Sequence, residues 1–199
     1  MTGLISIVIA YLLGSIPFGY VLTRLTTGRD VRASGSGNIG ATNVLRTAGK
    51  KLGIATLALD ILKGVAAVAL ADWLTSSDPM WMALAALAVS AGHVFPVFLK
   101  FQGGKAVATF AGAFGYLMPL PLLGTIIIFI LGVAVTKHIS AGSVLGAGAF
   151  PLGAWIILHP SAVEMLAVIA ACALIIYRHK ANMERIRLGR ESVFRWSKS

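Results

Sequence analysis

The chain has 199 residues, 57% hydrophobic and only 12% charged, with a mean hydropathy of +0.86, whereas soluble domains carry about 25% charged residues. A bilayer core about 30 Å thick takes about 20 apolar residues per helix, so a chain of this length holds roughly five to eight spans and no separate soluble catalytic domain. The net charge of +10 would suggest nucleic-acid binding in a soluble protein; here topology and anionic headgroups account for it, and no aromatics interleave with the basic residues to stack bases.

The N-terminal segment is apolar from Leu4 and lacks the basic lead-in and small-residue cleavage site of a signal peptide, so it is read as a retained first span. Apolar runs cover 3–23, 52–74, 80–99, 106–136 and 139–177. The last two break at Met118-Pro119-Leu120-Pro121 and at His159-Pro160, because proline removes a backbone donor and clashes with the preceding turn. The pattern predicts an all-α integral membrane protein, a single domain over 1–199, with seven transmembrane helices. They fall at about 3–23, 52–74, 80–99, 106–118, 119–136, 139–158 and 161–178, the fourth being short.

Lysine and arginine accumulate on the cytoplasmic side of spans. The 24–51 loop, the 100–105 and 137–138 turns and the tail after 177 hold all seventeen basic residues except Lys63, including Arg195 and Lys198 at the end of the chain. The alternate connections hold none. Seven spans place every basic loop on one side, which predicts an outside N-terminus and a cytoplasmic C-terminus.

The lone cysteine, Cys172, permits no disulfide framework, and His93, His138, His159 and His179 show no metal-ligand spacing. No metal or other cofactor is expected.

Three cytoplasmic segments carry groups that anchoring does not explain. The first is Gly35-Ser36-Gly37-Asn38-Ile39-Gly40-Ala41-Thr42-Asn43-Val44-Leu45-Arg46. It satisfies G-x-G-x-x-G formally, but no strand precedes it, so a dinucleotide site is excluded. Glycines still let backbone N–H groups approach an anion, with hydroxyl, amide and guanidinium groups alongside; a plain flexible turn fits the segment equally well. The second runs from Gly92-His93 to Gly103-Gly104-Lys105 and Thr109, again glycines and an ammonium before a helix, but without the flanking residues of a Walker A loop. The third runs from Ile176 to Glu191 and opens with Tyr177-Arg178-His179-Lys180-Ala181-Asn182, where a continuing helix would place His179 and Asn182 on one face. Arg185, Arg187 and Arg190 read as headgroup contacts. Ser143 could reach the same surface. Asp60 and Lys63, at i and i+3 inside the second span, are an ion pair or support for a site.

Together these segments, in this order and on this side, resemble the bacterial acyl-phosphate:glycerol-3-phosphate acyltransferase family (PlsY) over essentially the whole chain. One departure is Gln102, where the family usually has lysine; a charge is lost beside the phosphate loop while Gly103, Gly104 and Lys105 are intact. The resemblance implies a multi-pass enzyme of the bacterial inner membrane with a cytoplasmic active site. It would transfer a fatty acyl group from acyl phosphate to the sn-1 hydroxyl of glycerol 3-phosphate, giving lysophosphatidic acid and phosphate, the first acylation of phospholipid synthesis. Its partners are these two substrates and membrane lipids, with no nucleic acid. The enzyme that makes acyl phosphate is a pathway neighbour, with no physical contact implied.

By the same resemblance Ser36, Thr42, Asn43 and Arg46 hold the acyl-phosphate head within the Gly35, Gly37 and Asn38 loop. Lys105, with Gly103 and Gly104, and Ser143, His179 and Asn182 hold glycerol 3-phosphate, and the two phosphates could be exchanged between these sets. His93 either orients a loop or accepts a proton, a task that a substrate phosphate can also perform. Acyl phosphate is a mixed anhydride with a good leaving group, so direct attack needs no covalent intermediate; Ser36 as a nucleophile finds no Ser-His-Asp arrangement to support it. The His-x-x-x-x-Asp motif of other glycerolipid acyltransferases is absent, since His159…Glu164 and His179…Glu184 carry the wrong acid. A transporter would favour midplane charges and repeated halves; here the charges cluster at one surface and no repeat relates the halves.

Overall fold

The computed structural model describes residues 1–193; Arg195 and Lys198 lie outside the described residues. Helices α1 (Thr2–Ser15), α2 (Phe18–Thr27), α3 (Ala41–Thr47), α4 (Lys50–Leu74), α5 (Pro79–Val94), α6 (Val107–Leu117), α7 (Pro119–Thr136), α8 (Ile139–Leu158), α9 (Ala162–Arg178) and α10 (Lys180–Arg187) are joined by short loops, and no strand occurs among the described residues. They form two compact units, Met1–Leu117 and Met118–Ser199.

Five stretches are long and apolar enough to cross a membrane: Thr2–Thr27, Lys50–Leu74, Pro79–Leu99, Pro119–Thr136 and Ile139–Leu158. The pair α9 and α10, bent by 46°, makes a sixth if counted as one. The expected fourth span is α6, whose 11 residues reach only about 16 Å, half a bilayer core. The first span is broken at Ile16–Pro17 between α1 and α2, because Pro17 carries no donor and cannot continue the helix. Of the seven expected spans, five or six are thus long and apolar enough among the described residues, and α6 is the short one.

In the first unit α1 packs on α5, and α4 on α6. These contacts are close because glycines line them: a Cβ added to Gly14 would lie 2.1 Å from the Val89 carbonyl, and one on Gly112 2.0 Å from that of Ile61. Without a hydrophobic force between helices in lipid, such small residues let backbones approach and gain dispersion contacts. In the second unit α7 and α8 meet the same way, at Gly132 and Gly142. Many large apolar side chains face outward, among them Leu123, Ile127, Leu131 and Trp155, as lipid solvation allows.

Candidate active site

The Gly35–Arg46 segment is a constructed loop. Asp30 caps the 3-10 turn Val31–Ala33 through the Arg32 N–H (2.9 Å) and binds the Arg32 guanidinium (2.7 Å), which lies 4.9 Å over the Tyr20 ring. Arg32 holds the Asp30 carboxyl below the usual aspartate range, and Asp30 in turn raises Arg32. Gly35 and Gly37 then take left-handed backbone (φ 62° and 70°), open at little cost only to glycine. Asn43, 2% exposed, reaches back from α3. Its Nδ2 donates to the carbonyls of Val31 (3.1 Å), Ser34 (3.1 Å) and Asn38 (2.8 Å), and its Oδ1 accepts from Ser36 N (2.9 Å).

Asn43 is therefore committed to the loop itself. Asn38 accepts from Gly40 N at 2.7 Å, again a bond internal to the turn. Ser36 and Arg46 are exposed, and Thr42 is half-buried. Beneath the loop Val31, Ile39 and Val44 share a small core with Leu99, so the first segment and the start of the second are packed together.

The second segment folds against His93, at the last turn of α5 and 4% exposed. Gly104 N donates to the His93 carbonyl (3.0 Å) and Gly103 N to that of Val94 (3.2 Å). A Cβ on Gly104 would sit 2.1 Å from His93 Nε2, and one on Gly103 2.2 Å from the His93 carbonyl; both glycines are required by close approach. The next residues are Lys105, half-buried, and Ala106, buried with φ 61°, a conformation that costs a non-glycine residue about 1 kcal/mol and persists where its surroundings enforce it. On the other side of the ring, His93 Nδ1 is 3.2 Å from Thr109 Oγ1 and 3.6 Å from Asp60 Oδ1. Asp60 is in turn 2.8 Å from Lys63 Nζ, both side chains being 3% exposed.

In the second unit the expected continuous helix breaks at His179, between α9 and α10. His179 and Asn182 are nonetheless both buried and joined by a turn, Asn182 N donating to the His179 carbonyl (2.9 Å). His179 Nδ1 donates to the Ile175 carbonyl (2.7 Å), which fixes a proton on that nitrogen. Ser143 donates to Ile139 (2.9 Å). Sequence reading missed Glu191, whose carboxylate gathers Asn182 Nδ2 (2.6 Å), Ser140 Oγ (3.0 Å) and Arg185 Nε (2.7 Å). Burial pushes this carboxyl up, but these three bonds together hold it below the ordinary glutamate range. Nothing in the spacing announced Glu191, nine residues beyond Asn182 along the basic tail.

In the tail Arg185 is paired with Glu191 (2.7 Å) and the exposed Arg187 with Glu184 (2.9 Å). Glu164 completes a capping box with Ser161, a helix-start role.

Residues 4–189 match the family model described as glycerol-3-phosphate acyltransferase. The glycerol-3-phosphate acyltransferases of Geobacter sulfurreducens and Trichlorobacter lovleyi are 48% and 49% identical, covering 96% and 97% of this chain and 97% and 98% of their own. A crystal structure of PlsY, an integral membrane glycerol 3-phosphate acyltransferase, in its glycerol 3-phosphate form aligns with a TM-score of 0.92 at 36% identity over 98% of this chain and 96% of its own. The lysophosphatidic acid form aligns at 0.88 and 35%, over the same shares. With near-complete coverage from both sequence and structure, this multi-pass membrane chain belongs to the PlsY family of glycerol-3-phosphate acyltransferases.

Proposed function

We propose that this protein moves a fatty acyl group from acyl phosphate to the sn-1 hydroxyl of glycerol 3-phosphate, releasing lysophosphatidic acid and phosphate. The observation that carries the reading is the pair of forms in which the solved PlsY relative was captured, one with glycerol 3-phosphate and one with lysophosphatidic acid: acceptor and product differ by one acyl group. The hydroxyl oxygen attacks the acyl carbonyl carbon, a C–O bond forms, and the bond to the phosphate oxygen breaks with its electron pair leaving on phosphate. The hydroxyl proton goes to a phosphate oxygen. His93 sits behind the Gly103-Gly104 loop with Nε2 against Gly104, which favours an orienting role over proton acceptance.

Ser36, Thr42 and Arg46 serve the acyl-phosphate head on the loop that Gly35, Gly37, Asn38 and Asn43 shape. Lys105, presented by Gly103 and Gly104, serves glycerol 3-phosphate, as do Ser143, His179 and Asn182. Residues 1–199 act as one membrane-embedded domain with seven spans, an outside N-terminus and a cytoplasmic active site in the inner membrane; the one-sided placement of the basic loops supports this topology. The test is turnover by the purified protein with palmitoyl phosphate and glycerol 3-phosphate, with palmitoyl-CoA as parallel donor. Lysophosphatidic acid and phosphate from acyl phosphate alone is the expected result. Product from the thioester, or from neither donor with folded protein, overturns the proposal.

A further inference from the structure

Asp60, Lys63, His93 and Thr109 form a buried polar group inside the first unit, and the reaction as proposed uses none of their charges. Burying an ion pair gives little net stability once desolvation is counted, so its retention calls for a reason. Lys63 Nζ is held by the Ile16 carbonyl (2.8 Å) and lies 5.6 Å over the Phe18 ring, at the break between α1 and α2. Asp60 Oδ1 is 2.8 Å from this ammonium yet accepts no hydrogen bond of good geometry; the contact is ionic and undirected. The same oxygen faces His93 Nδ1 at 3.6 Å, beside Thr109.

We propose that Asp60 is a positioning residue for the acyl transfer, setting the His93 ring that backs the Gly103–Lys105 loop; this rests on the function proposed above. The negative charge of Asp60 beside Nδ1 favours the imidazole proton on that nitrogen, with Thr109 Oγ1 at 3.2 Å as its acceptor. The other edge of the ring then meets Gly104, while the His93 carbonyl binds Gly104 N. Ring and backbone together clasp the two glycines that precede Lys105. Gly64, one turn after Asp60, packs α4 directly on α6: a Cβ there would lie 2.2 Å from the Thr109 carbonyl.

The rival role for Asp60 is neutralising Lys63 and nothing more. Asp60→Asn leaves Lys63 uncompensated and threatens folding, whereas Asp60→Asn/Lys63→Gln removes both charges and keeps amides in their places. In the double variant the thermal midpoint should return towards wild type, while KM for glycerol 3-phosphate rises about tenfold with kcat within about threefold, as expected when a loop that grips substrate is loosened. Hydrogen exchange of the 101–106 segment without substrate should quicken, and in a His93→Asn background the Asp60 change should add nothing. Wild-type KM and wild-type exchange in the double variant, or additivity with His93→Asn, overturn the inference. A wild-type protein that turns over neither donor would sink the acyl-transfer reading alone, because the exchange measurement decides the role of Asp60 without turnover.

Discussion

Asn43→Asp is the sharpest perturbation of the first loop because it changes one atom and almost no volume. In the native loop Nδ2 donates to three carbonyls, at 3.1, 3.1 and 2.8 Å, and Oδ1 accepts from Ser36 N at 2.9 Å. Aspartate keeps the acceptor and turns the donor into an oxygen that faces all three carbonyls. The bond to Val31 is buried and the other two are partly so. Counting up to about 3 kcal/mol for the stranded buried carbonyl and about 1 for each of the others, the local cost is roughly 3–5 kcal/mol. Since 1.4 kcal/mol is about a factor of ten, protection of the 34–40 amides against hydrogen exchange in the substrate-free protein should fall by a hundredfold or to the limit of an open loop. kcat/KM should fall by at least as much as in Asn43→Ser, a smaller side chain that introduces no repulsion. Unchanged exchange together with lost activity would refute this reasoning and make Asn43 a direct substrate ligand.

Gly104→Ala places a Cβ 2.1 Å from His93 Nε2; overpacking of this kind costs about 1–3 kcal/mol and should cut kcat/KM at least tenfold while the thermal midpoint changes little, since the clash is confined to one loop. The Glu191 carboxyl lies below its ordinary pKa of about 4.5, so its cluster stabilises the fold above that pH and is lost as pH falls through the lower folded value. Thermal melts of wild type and Glu191→Gln should therefore differ at neutral pH and converge under acid conditions; a gap that persists or widens in acid would contradict the cluster. Single cysteines in a Cys172→Ala background report topology: Gly28→Cys and Ser192→Cys should be labelled from the cytoplasmic side of sealed vesicles and Ser76→Cys from the opposite side. Labelling of all three from one side would overturn the proposed orientation.

The helical membrane character and most helix limits were legible in the sequence because lipid imposes one crude rule, a run of apolar residues closed by proline or charge. The shortness of α6 was legible from the prolines after it, whereas the Ile16–Pro17 break lies inside a run that stays apolar on both sides and the bend at His179 falls where the motif reads as a continuing helix. In the site, Ser36, Arg46, His93, Lys105 and His179 stood out as chemistry without an anchoring purpose. What spacing could not divide was contact from support. Asn43 and Ser36 look alike in a motif, yet one is spent on four loop bonds and the other is exposed.

The sequence by itself determined the solvent of this protein, the loops in which its charges gather and the family to which its motifs point, because these depend on composition and order along the chain. Tertiary structure alone decided which polar groups meet. Asp60 of α4 comes within 3.6 Å of His93 Nδ1 on α5, and Glu191 collects Ser140, Asn182 and Arg185 across distances of 51, 9 and 6 residues. Such meetings depend on backbones packed to within an atom's width, which no periodicity along the chain records.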